Sequence, residues 1–313
     1  MRYATEPPFA HDRAARIGVL LMNLGTPSAP TTEAVRAYLA EFLSDPRVVR
    51  LPRFVWLPIL HGIVLRKRPA LSAAKYAAIW TAEGSPLAVH TRRQAAALQI
   101  LLADTKVDYA MRYGEPSLAA ARVRLPEAKV VPLYPQYSDS TTGSIIDVMG
   151  PGQQIVMQFY DHPAYIEALA ANVRRHWQVH GRGAKLVMSF HGLPRRGGAL
   201  YAGQCYGTSK LLADRLELRS DEWITTFQSR FGYAEWLQPY TAPTLVSLAQ
   251  HKVGRVDVVC PGFVADCLET LEEIGIEGRR AYVTAGGREF HLIPCLNESP
   301  EWIAALARIC AEG

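Results

Sequence analysis

The stretch KLVMSFHGLPRR, residues 185–196, sets a short apolar run directly before a histidine. An apolar run of this length is typical of a strand that is buried on both faces of a parallel sheet. Gly192 and Pro194 stop the run, so the sequence places His191 where the strand ends. Ligands of open parallel sheets bind outside the carboxyl ends of the strands. We therefore expect His191 to face a ligand cleft; the ordinary alternative is a histidine that hydrogen-bonds a nearby backbone group.

Similar apolar runs alternate with helical patterns along the rest of the chain. The further predicted strands are IGVLLMN (17–23), VDYAMRY (107–113), KVVPLY (129–134), WITTFQS (223–229), VDVVCPG (256–262) and FHLIPCL (290–296). Predicted helices include TTEAVRAYLAEFL (31–43), PAYIEALAANVRRHW (163–177), TAPTLVSLAQH (241–251) and DCLETLEEI (266–274). This alternation predicts an α/β fold with parallel sheets.

Length and charge narrow the class of protein. The chain has 313 residues, 20% of them charged, and a net charge of +5 without a long basic run, which argues against a dedicated nucleic-acid binder. No stretch reaches the roughly 18 apolar residues of a membrane span, and residues 1–16 lack the apolar core of a signal peptide. The five cysteines show no CxxC spacing, which fits a reducing compartment. We expect a cytoplasmic protein of roughly two domains.

Two segments of the chain are similar to each other. LLMNLGTP (20–27) and LVMSFHGLP (186–194) both have the pattern of a strand followed by glycine and proline. Parallel strands under helices share such composition in any case, so a duplicated domain and ordinary α/β packing both fit.

A second candidate edge follows the strand VDVVCPG. Asp266 lies near the start of the next predicted helix and Glu269 three residues later, which is the spacing of a capping box. An acid in the first turn also lies at the edge where we expect His191, and a histidine with a carboxylate binds borderline divalent metals and passes protons. Both interpretations can hold together.

Six segments, spread over nearly the whole chain, resemble the ferrochelatase family, whose members insert ferrous iron into a porphyrin to make haem. In order they are LLMNLGTP, EGSPL, YPQYSDSTTGS, SFHGLP, YAEWLQPYT and FVADCLETLEEI. The resemblance implies two similar doubly wound, Rossmann-like domains with the active-site cleft between them. We expect these domains at residues 1–150 and 151–313, with the last helix packing back on the first. The resemblance also implies that His191 and Glu269 form the metal and proton-transfer site.

The chemistry of metal insertion suits these two residue types. Two pyrrole N–H protons must leave before iron can bind the ring nitrogens, and an imidazole takes up protons near neutral pH. A structural metal site has about four protein ligands and keeps its metal, whereas a site with two ligands leaves positions open for transfer. Iron is then a substrate. We expect protoporphyrin IX as its partner substrate, protohaem as product, and a monomer or homodimer without a permanently bound cofactor.

Candidate walls of a porphyrin pocket lie in the family-like segments. They are Leu24, Ser85, Tyr113, Tyr137, Trp236 and Phe263, although ordinary core packing explains each aromatic residue equally well. Arg112 is a candidate partner for a porphyrin carboxylate. Lys75, Arg92 and Arg93 are others, with exposed helix charges as their usual explanation.

The sequence departs from the family pattern in three places. Asp139 stands where some members carry a cysteine that ligates a two-iron two-sulfur cluster, and Cys295 and Cys310 are too few to complete the cluster, so we expect none. Cys267 stands where some members have histidine. The loop GGALYAGQC (197–205) replaces a segment that often contains GDPY, which puts any role of that loop in doubt.

The segment LPRFVWLPILHGIVLRKRP, residues 51–69, is apolar with a basic end. Pro52 and Pro58 interrupt it, so it is too short to span a bilayer. It is either a core helix or an apolar lip of the cleft whose basic cluster, Arg66, Lys67 and Arg68, holds the protein against the inner face of an anionic membrane.

Three other functions remain open from the sequence. A cobalt or nickel chelatase of the same fold would keep His191 and Glu269 but act on another tetrapyrrole. A haem or porphyrin carrier without catalysis would use the same cleft. A sugar- or nucleotide-binding protein is disfavoured because the chain has neither a GxGxxG nor a GxxxxGK[ST] phosphate loop.

Overall fold

Two parallel β-sheets organise the residues that the computed structural model describes, 18–150, 153–232 and 234–312. Strands β1 (Gly18–Asn23), β2 (Val107–Met111) and β3 (Ala128–Pro132) form one sheet in the order β2-β1-β3. Strands β4 (Lys185–His191), β5 (Trp223–Gln228), β6 (Arg255–Val259) and β7 (Glu289–Leu292) form the other in the order β5-β4-β6-β7. All seven predicted strands are confirmed; only Ile17, the first residue of one prediction, lies outside the described residues.

Both sheets are buried on two faces, as an α/β fold with parallel sheets requires. In β1, Val19 and Leu21 join one apolar cluster, whereas Leu20 and Met22 join another on the opposite face. The side chains of β4 alternate in the same way between two clusters. The predicted fold class is therefore confirmed, and β1 and β4 occupy corresponding central positions in their sheets.

Helices cover these faces and connect the strands. They are α1 (Thr32–Leu43), α2 (Arg53–Ile59), α3 (Leu65–Ile79), α4 (Pro86–Leu101), α5 (Leu118–Arg124), α6 (Ser144–Ile146), α7 (Pro163–His180), α8 (Ala199–Arg215), α9 (Thr241–Gln250), α10 (Arg279–Thr284) and α11 (Pro300–Glu312). Three of the four helices quoted above form as predicted. The fourth, DCLETLEEI, is different: a π-helix runs over Glu269–Gly278 and continues into α10.

The segment predicted as a lip or a core helix is helical and has both characters. Helix α2, a π-helical turn at Leu60–Val64 and α3 follow one another without a break. Trp56, Leu60 and Leu65 are buried, while Phe54 is 82% and Ile63 57% exposed. One face of the segment therefore packs in the core and the other presents apolar side chains to solvent. In the described residues no helix is long and apolar enough to cross a membrane.

One apolar core joins the two sheets. A single cluster contains Leu21 of β1, Met188 of β4 and Trp302 of α11. Helix α11 packs against α7 and also against α4, which lies in the first half of the chain. Lys129 of β3 donates to the carbonyl oxygen of Cys310 at 2.8 Å. A boundary between domains near residue 150 stays a prediction.

Candidate active site

His191 is the last residue of β4 and is half-buried. Its Nδ1 atom lies 2.7 Å from the carbonyl oxygen of Gly192. A carbonyl oxygen only accepts, so Nδ1 carries the proton and Nε2 holds the lone pair. The hydroxyl of Tyr201, on α8, donates to the carbonyl oxygen of His191 at 2.9 Å and fixes the strand end. His191 thus offers a basic nitrogen at the carboxyl edge of the second sheet.

Gln228 connects His191 to the segment that carries Glu269. It lies beside His191 in the register of β4 and β5, and its carbonyl oxygen accepts from the Gly192 amide at 2.8 Å. Its side-chain Nε2 donates to the carbonyl oxygen of Glu269 at 2.7 Å. Glu269 follows β6, the neighbour of β4 on the other side. The two candidate catalytic residues therefore lie at the switch point of the second sheet, where doubly wound folds bind ligands.

Glu269 lies near three tyrosines from the first half of the chain. Burial raises the pKa of Tyr38, Tyr76 and Tyr134, and in each the nearby charge of Glu269 adds to the rise. Burial likewise raises the pKa of the Cys267 thiol, which also hydrogen-bonds Glu269. All four groups therefore stay protonated at neutral pH, so the Glu269 side chain lies near neutral groups from both halves of the chain.

Arg68 lies near the same site. The sequence grouped it with Arg66 and Lys67 in one basic cluster, but the structure separates it from them. Those two side chains are exposed, whereas the Arg68 guanidinium is partly buried near Glu269 and Tyr76. It stacks over the ring of Phe231, with 5.0 Å between the guanidinium carbon and the ring centre. Burial lowers the pKa of Arg68, and the charge of Glu269 opposes that shift. The cleft thus contains a cation opposite its carboxylate.

Asp266 does not form the predicted capping box with Glu269. Its carboxylate accepts from the Thr270 hydroxyl at 3.0 Å, the Cys295 amide at 3.2 Å and the Asn297 side chain at 2.7 Å. The reason is the π-helix, which begins at Glu269 and leaves Asp266 outside its first turn. Asp266 instead ties the start of the π-helix to the loop before α11, and the cap interpretation of Glu269 is wrong.

Two predicted wall residues, Leu24 and Ser85, lie at the edge of the first sheet. Leu24 follows β1 and donates its amide to the Tyr134 hydroxyl at 3.1 Å. Ser85 precedes α4 and accepts from the Thr26 hydroxyl at 2.8 Å. Because Tyr134 and Tyr76 also approach Glu269, these residues lie on the side of the cleft that faces the acid.

Two other wall candidates belong to the second half. Trp236 forms a backbone bridge with Pro194, three residues beyond His191, and its ring lies beside Gly192. Phe263 follows β6 and is half-buried against the core under the second sheet. Both therefore lie in loops that flank the candidate catalytic pair.

Arg112 and Tyr113 form a buried network with Asp45. Arg112 Nη2 lies 2.6 Å from Asp45 Oδ2, and the Tyr113 hydroxyl donates to the same oxygen at 2.8 Å. Arg112 Nε also donates to the carbonyl oxygen of Ser144. Two of its five N–H groups are engaged in this way, and a role for Arg112 in holding a carboxylate of a bound ligand stays a prediction.

The remaining predicted residues also have protein partners. Tyr137 donates its amide to Gln204 of α8 at 2.7 Å, and its hydroxyl lies 3.3 Å from Asp139. Lys75 pairs with Glu272 and Glu277, and Arg92 and Arg93 both pair with Glu83. Ordinary ion pairing therefore explains these three helix cations.

Comparison with known proteins decides the family. A profile of the family described as Ferrochelatase matches residues 16–313. The chain belongs to the ferrochelatase family. The ferrochelatases of Azoarcus sp. (strain BH72) and Chromobacterium violaceum are 56% and 52% identical to it over 98% of the chain, and the matches cover 90% and 91% of those proteins. Metal insertion into a porphyrin is the reaction of this family.

Solved structures place this ferrochelatase in a wider chelatase fold. CbiX, the terminal enzyme of sirohaem biosynthesis in denitrifying bacteria, superimposes with a TM-score of 0.52 at 16% identity, over 93% of this chain and 97% of that one. SirB from Bacillus subtilis with Fe³⁺ gives 0.51 at 15% identity, over 95% of each chain. At such low identity the likeness concerns the fold alone.

The structure also brings to the candidate site residues that the sequence did not single out. They are Gln228, Tyr38, Tyr76 and Tyr134, together with Tyr201 in the loop and helix that replace the common segment at 197–205. A signal existed for Arg68, because it lies three residues after the buried Leu65 and so shares its helix face. No sequence pattern pointed to Gln228, whose role depends on strand register.

Proposed function

We propose that this ferrochelatase family member inserts Fe²⁺ into protoporphyrin IX and releases two protons to form protohaem. The observation that supports this most directly is that an imidazole and a carboxylate lie on two adjacent loops at one sheet edge. His191 Nε2 holds a lone pair, and Gln228 fixes the backbone of Glu269 to the same strand end. A base and a metal-binding acid on two adjacent loops are the groups that metal insertion requires.

His191 acts as the base in this proposal. Its Nε2 takes up the two pyrrole protons one after the other, while Nδ1 keeps its own proton, donates it to the Gly192 carbonyl oxygen and so holds the ring in one orientation. Glu269 binds the incoming Fe²⁺ or passes the proton to water. The neutral hydroxyls of Tyr38, Tyr76 and Tyr134 do not compete for the metal while they remain protonated. Two protein ligands leave the iron free to transfer to the ring.

The ring itself lies between the two sheets. We infer that its apolar faces contact Leu24, Trp236 and Phe263, and that Ser85 and Tyr137 lie along its rim, whereas Tyr113 is buried and bonded to Asp45. Arg112 is engaged with Asp45, so Arg68, which stacks on Phe231, is the better partner for a propionate. A bidentate guanidinium contact would orient the substrate as well as bind it.

The exposed face of residues 51–69 supports reversible contact with an anionic membrane. Phe54 and Ile63 present apolar area beside the exposed cations Arg66 and Lys67. Porphyrin and haem dissolve poorly in water, so a site next to a bilayer shortens their passage. Arg68 belongs to the cleft and is not part of this surface.

We also propose that the protein carries no iron–sulfur cluster. Asp139 pairs with Arg47 and Arg50, and Cys295 and Cys310 are both buried. A two-iron cluster of the usual kind needs four thiolates. Protein isolated without air should therefore contain no stoichiometric acid-labile sulfide. Sulfide at two per chain would contradict this.

Anaerobic metallation assays test the proposed reaction. The protein is mixed with protoporphyrin IX and Fe²⁺, and the absorption change on metal insertion is followed, with His251→Ala as the control for histidine loss. Turnover that His191→Ala abolishes supports the proposal. Turnover only with Co²⁺ or Ni²⁺ and another tetrapyrrole would replace it with the alternative chelatase, and porphyrin binding without turnover would indicate a carrier.

A further inference from the structure

Three histidines meet on the second sheet, far from the cleft. His176 and His180 lie on α7, and His291 lies on β7. Their ring centres are 4.6, 5.6 and 5.4 Å apart. Helix α7 ends just before β4 begins, so the cluster is near the amino edge of the sheet, whereas His191 is at the carboxyl end of β4. The cluster and the candidate active site are therefore separate.

The spacing of the three rings matches that of a metal-ligand set. His176 and His180 are four residues apart on one helix face, which is the spacing of helical metal-binding pairs. His291 supplies a third imidazole from the neighbouring strand. When three imidazoles bind one ion at about 2.0–2.1 Å with near-tetrahedral angles, their ring centres lie about 5 Å apart. The three observed spacings bracket that value.

One nitrogen of the cluster lacks a partner. His176 Nε2 is buried and accepts or donates no hydrogen bond in the described residues. Buried polar atoms without a partner are uncommon in folded proteins and call for an explanation. A bound metal ion would satisfy this nitrogen directly.

We propose that His176, His180 and His291 bind one borderline divalent cation such as Zn²⁺. Three neutral imidazoles suit such ions better than they suit Mg²⁺ or Ca²⁺. Glu289, with Oε2 at 3.8 Å from His291 Nε2, is near enough to offer a fourth ligand, and water is the other choice. The charge of Arg255 opposes a cation here, but Arg255 is paired with Asp257 at 3.1 Å.

The imidazoles must turn before they bind. As they stand, no three histidine, cysteine or acidic side chains among residues 18–150, 153–232 and 234–312 surround a common metal position. His180 is exposed and His291 is half-exposed, so both rings have space to rotate about their side-chain torsions. The site thus forms on binding and would join the end of α7 to β7.

Titration of porphyrin-free, untagged protein with Zn²⁺ by calorimetry, and with Co²⁺ by visible absorption, tests this site. His191→Ala, which lacks one candidate ligand of the cleft, should still bind one ion per chain at the histidine cluster, and His251→Ala should bind as the parent does. His180→Ala and His291→Ala should lower that affinity at least about tenfold. Zn²⁺ should also raise the Tm of the parent and not that of His180→Ala.

Two results would overturn the proposal. One is equal Zn²⁺ binding by the parent and the double variant of His180 and His291; the other is loss of the ion in His191→Ala, which would locate it in the cleft. His180 is exposed, so its removal should leave the metal-free Tm unchanged and keep the comparison valid. No porphyrin is present, so the result does not depend on the proposed reaction.

Discussion

The carboxyl ends of β1 and β4 share a closely packed glycine and differ in the side chain that precedes it. At Gly25 an added Cβ would lie 1.8 Å from the Tyr113 carbonyl oxygen, and at Gly192 it would lie 2.7 Å from that of Gln228. In both sheets a glycine after the central strand lets the chain touch the end of the neighbouring strand. The residue before the glycine is Leu24 in the first sheet and His191 in the second.

The two sheet edges therefore differ in their polar groups. At the first edge the polar groups bind one another: Asn23 donates to Thr91 and Thr26 to Ser85. At the second edge lie His191, at the end of β4, and Glu269, whose backbone oxygen accepts from Gln228. Under the proposed function, the first edge would serve as a fixed wall and the second as the reactive surface, although β1 and β4 occupy corresponding positions in their sheets.

Replacing His191 with alanine should have the largest effect on the reaction. Loss of the general base alone lowers turnover by about a hundred- to ten-thousand-fold, while the Gly192 backbone and porphyrin affinity should remain. The measurement is anaerobic turnover together with porphyrin fluorescence quenching. If the alanine variant turned over within a few-fold of the parent, the second edge would not be the reactive one.

Glu269→Gln should lower turnover by about a hundredfold or more with little change in Tm. The amide cannot carry charge or a proton, whereas the bond from Gln228 goes to the backbone oxygen and is kept. Glu301→Gln, on α11 and paired with Arg175, is the matched control. A glutamine variant that melts several degrees lower yet turns over normally would mean that Glu269 is structural.

Alanine at the two glycines should sharpen the comparison of the edges. Gly25 has a φ of +107° and the shorter approach, so Gly25→Ala should lower the free energy of unfolding by about 3 kcal/mol or more. Gly192→Ala should lower it by about 1–3 kcal/mol, since only close packing is disturbed. Urea denaturation of both variants gives the two values. A larger loss at Gly192 would reverse the expected order.

The smallest expected effect concerns the surface of residues 51–69. Each basic side chain near an anionic bilayer contributes about 1 kcal/mol, so changing Arg66 and Lys67 to glutamine should weaken vesicle binding by about thirtyfold. Binding of the parent should fall with salt. Activity on detergent-dispersed porphyrin should stay unchanged. Equal vesicle binding by both proteins in low salt would exclude these cations as the anchor.

The sequence predicted the sheets well because a strand that is buried on both faces appears as a continuous apolar run. All seven strands appear where apolar runs occur, and His191 ends β4 as its glycine and proline indicated. The helix at Asp266 was wrong in type and start, because the apolar pattern of nine residues does not reveal which backbone hydrogen bonds form. The capping box depended on that start and was wrong with it.

The contacts between the halves were beyond the sequence. Tyr38, Tyr76 and Tyr134 come from α1, α3 and the loop after β3, and only tertiary packing brings them to Glu269. Nothing in the sequence indicated that Arg112 has a partner, but in the structure it pairs with Asp45, which lies 67 positions away. Polar partners distant in sequence leave no periodic signal, so pairings of this kind need coordinates.

The packing of α11 bears on the order of events during synthesis. Trp302 is fully buried in the core that also holds Leu21 and Leu98, residues made much earlier. Until the ribosome has released α11, the first sheet and α4 lack part of their apolar cover. Lys129 also lacks its acceptor, the carbonyl oxygen of Cys310. Domains usually complete folding in order from the amino end as the chain emerges. Here the first sheet and α4 cannot complete their packing before α11 is synthesised. An unfinished chain therefore exposes apolar surface that chaperones would recognise.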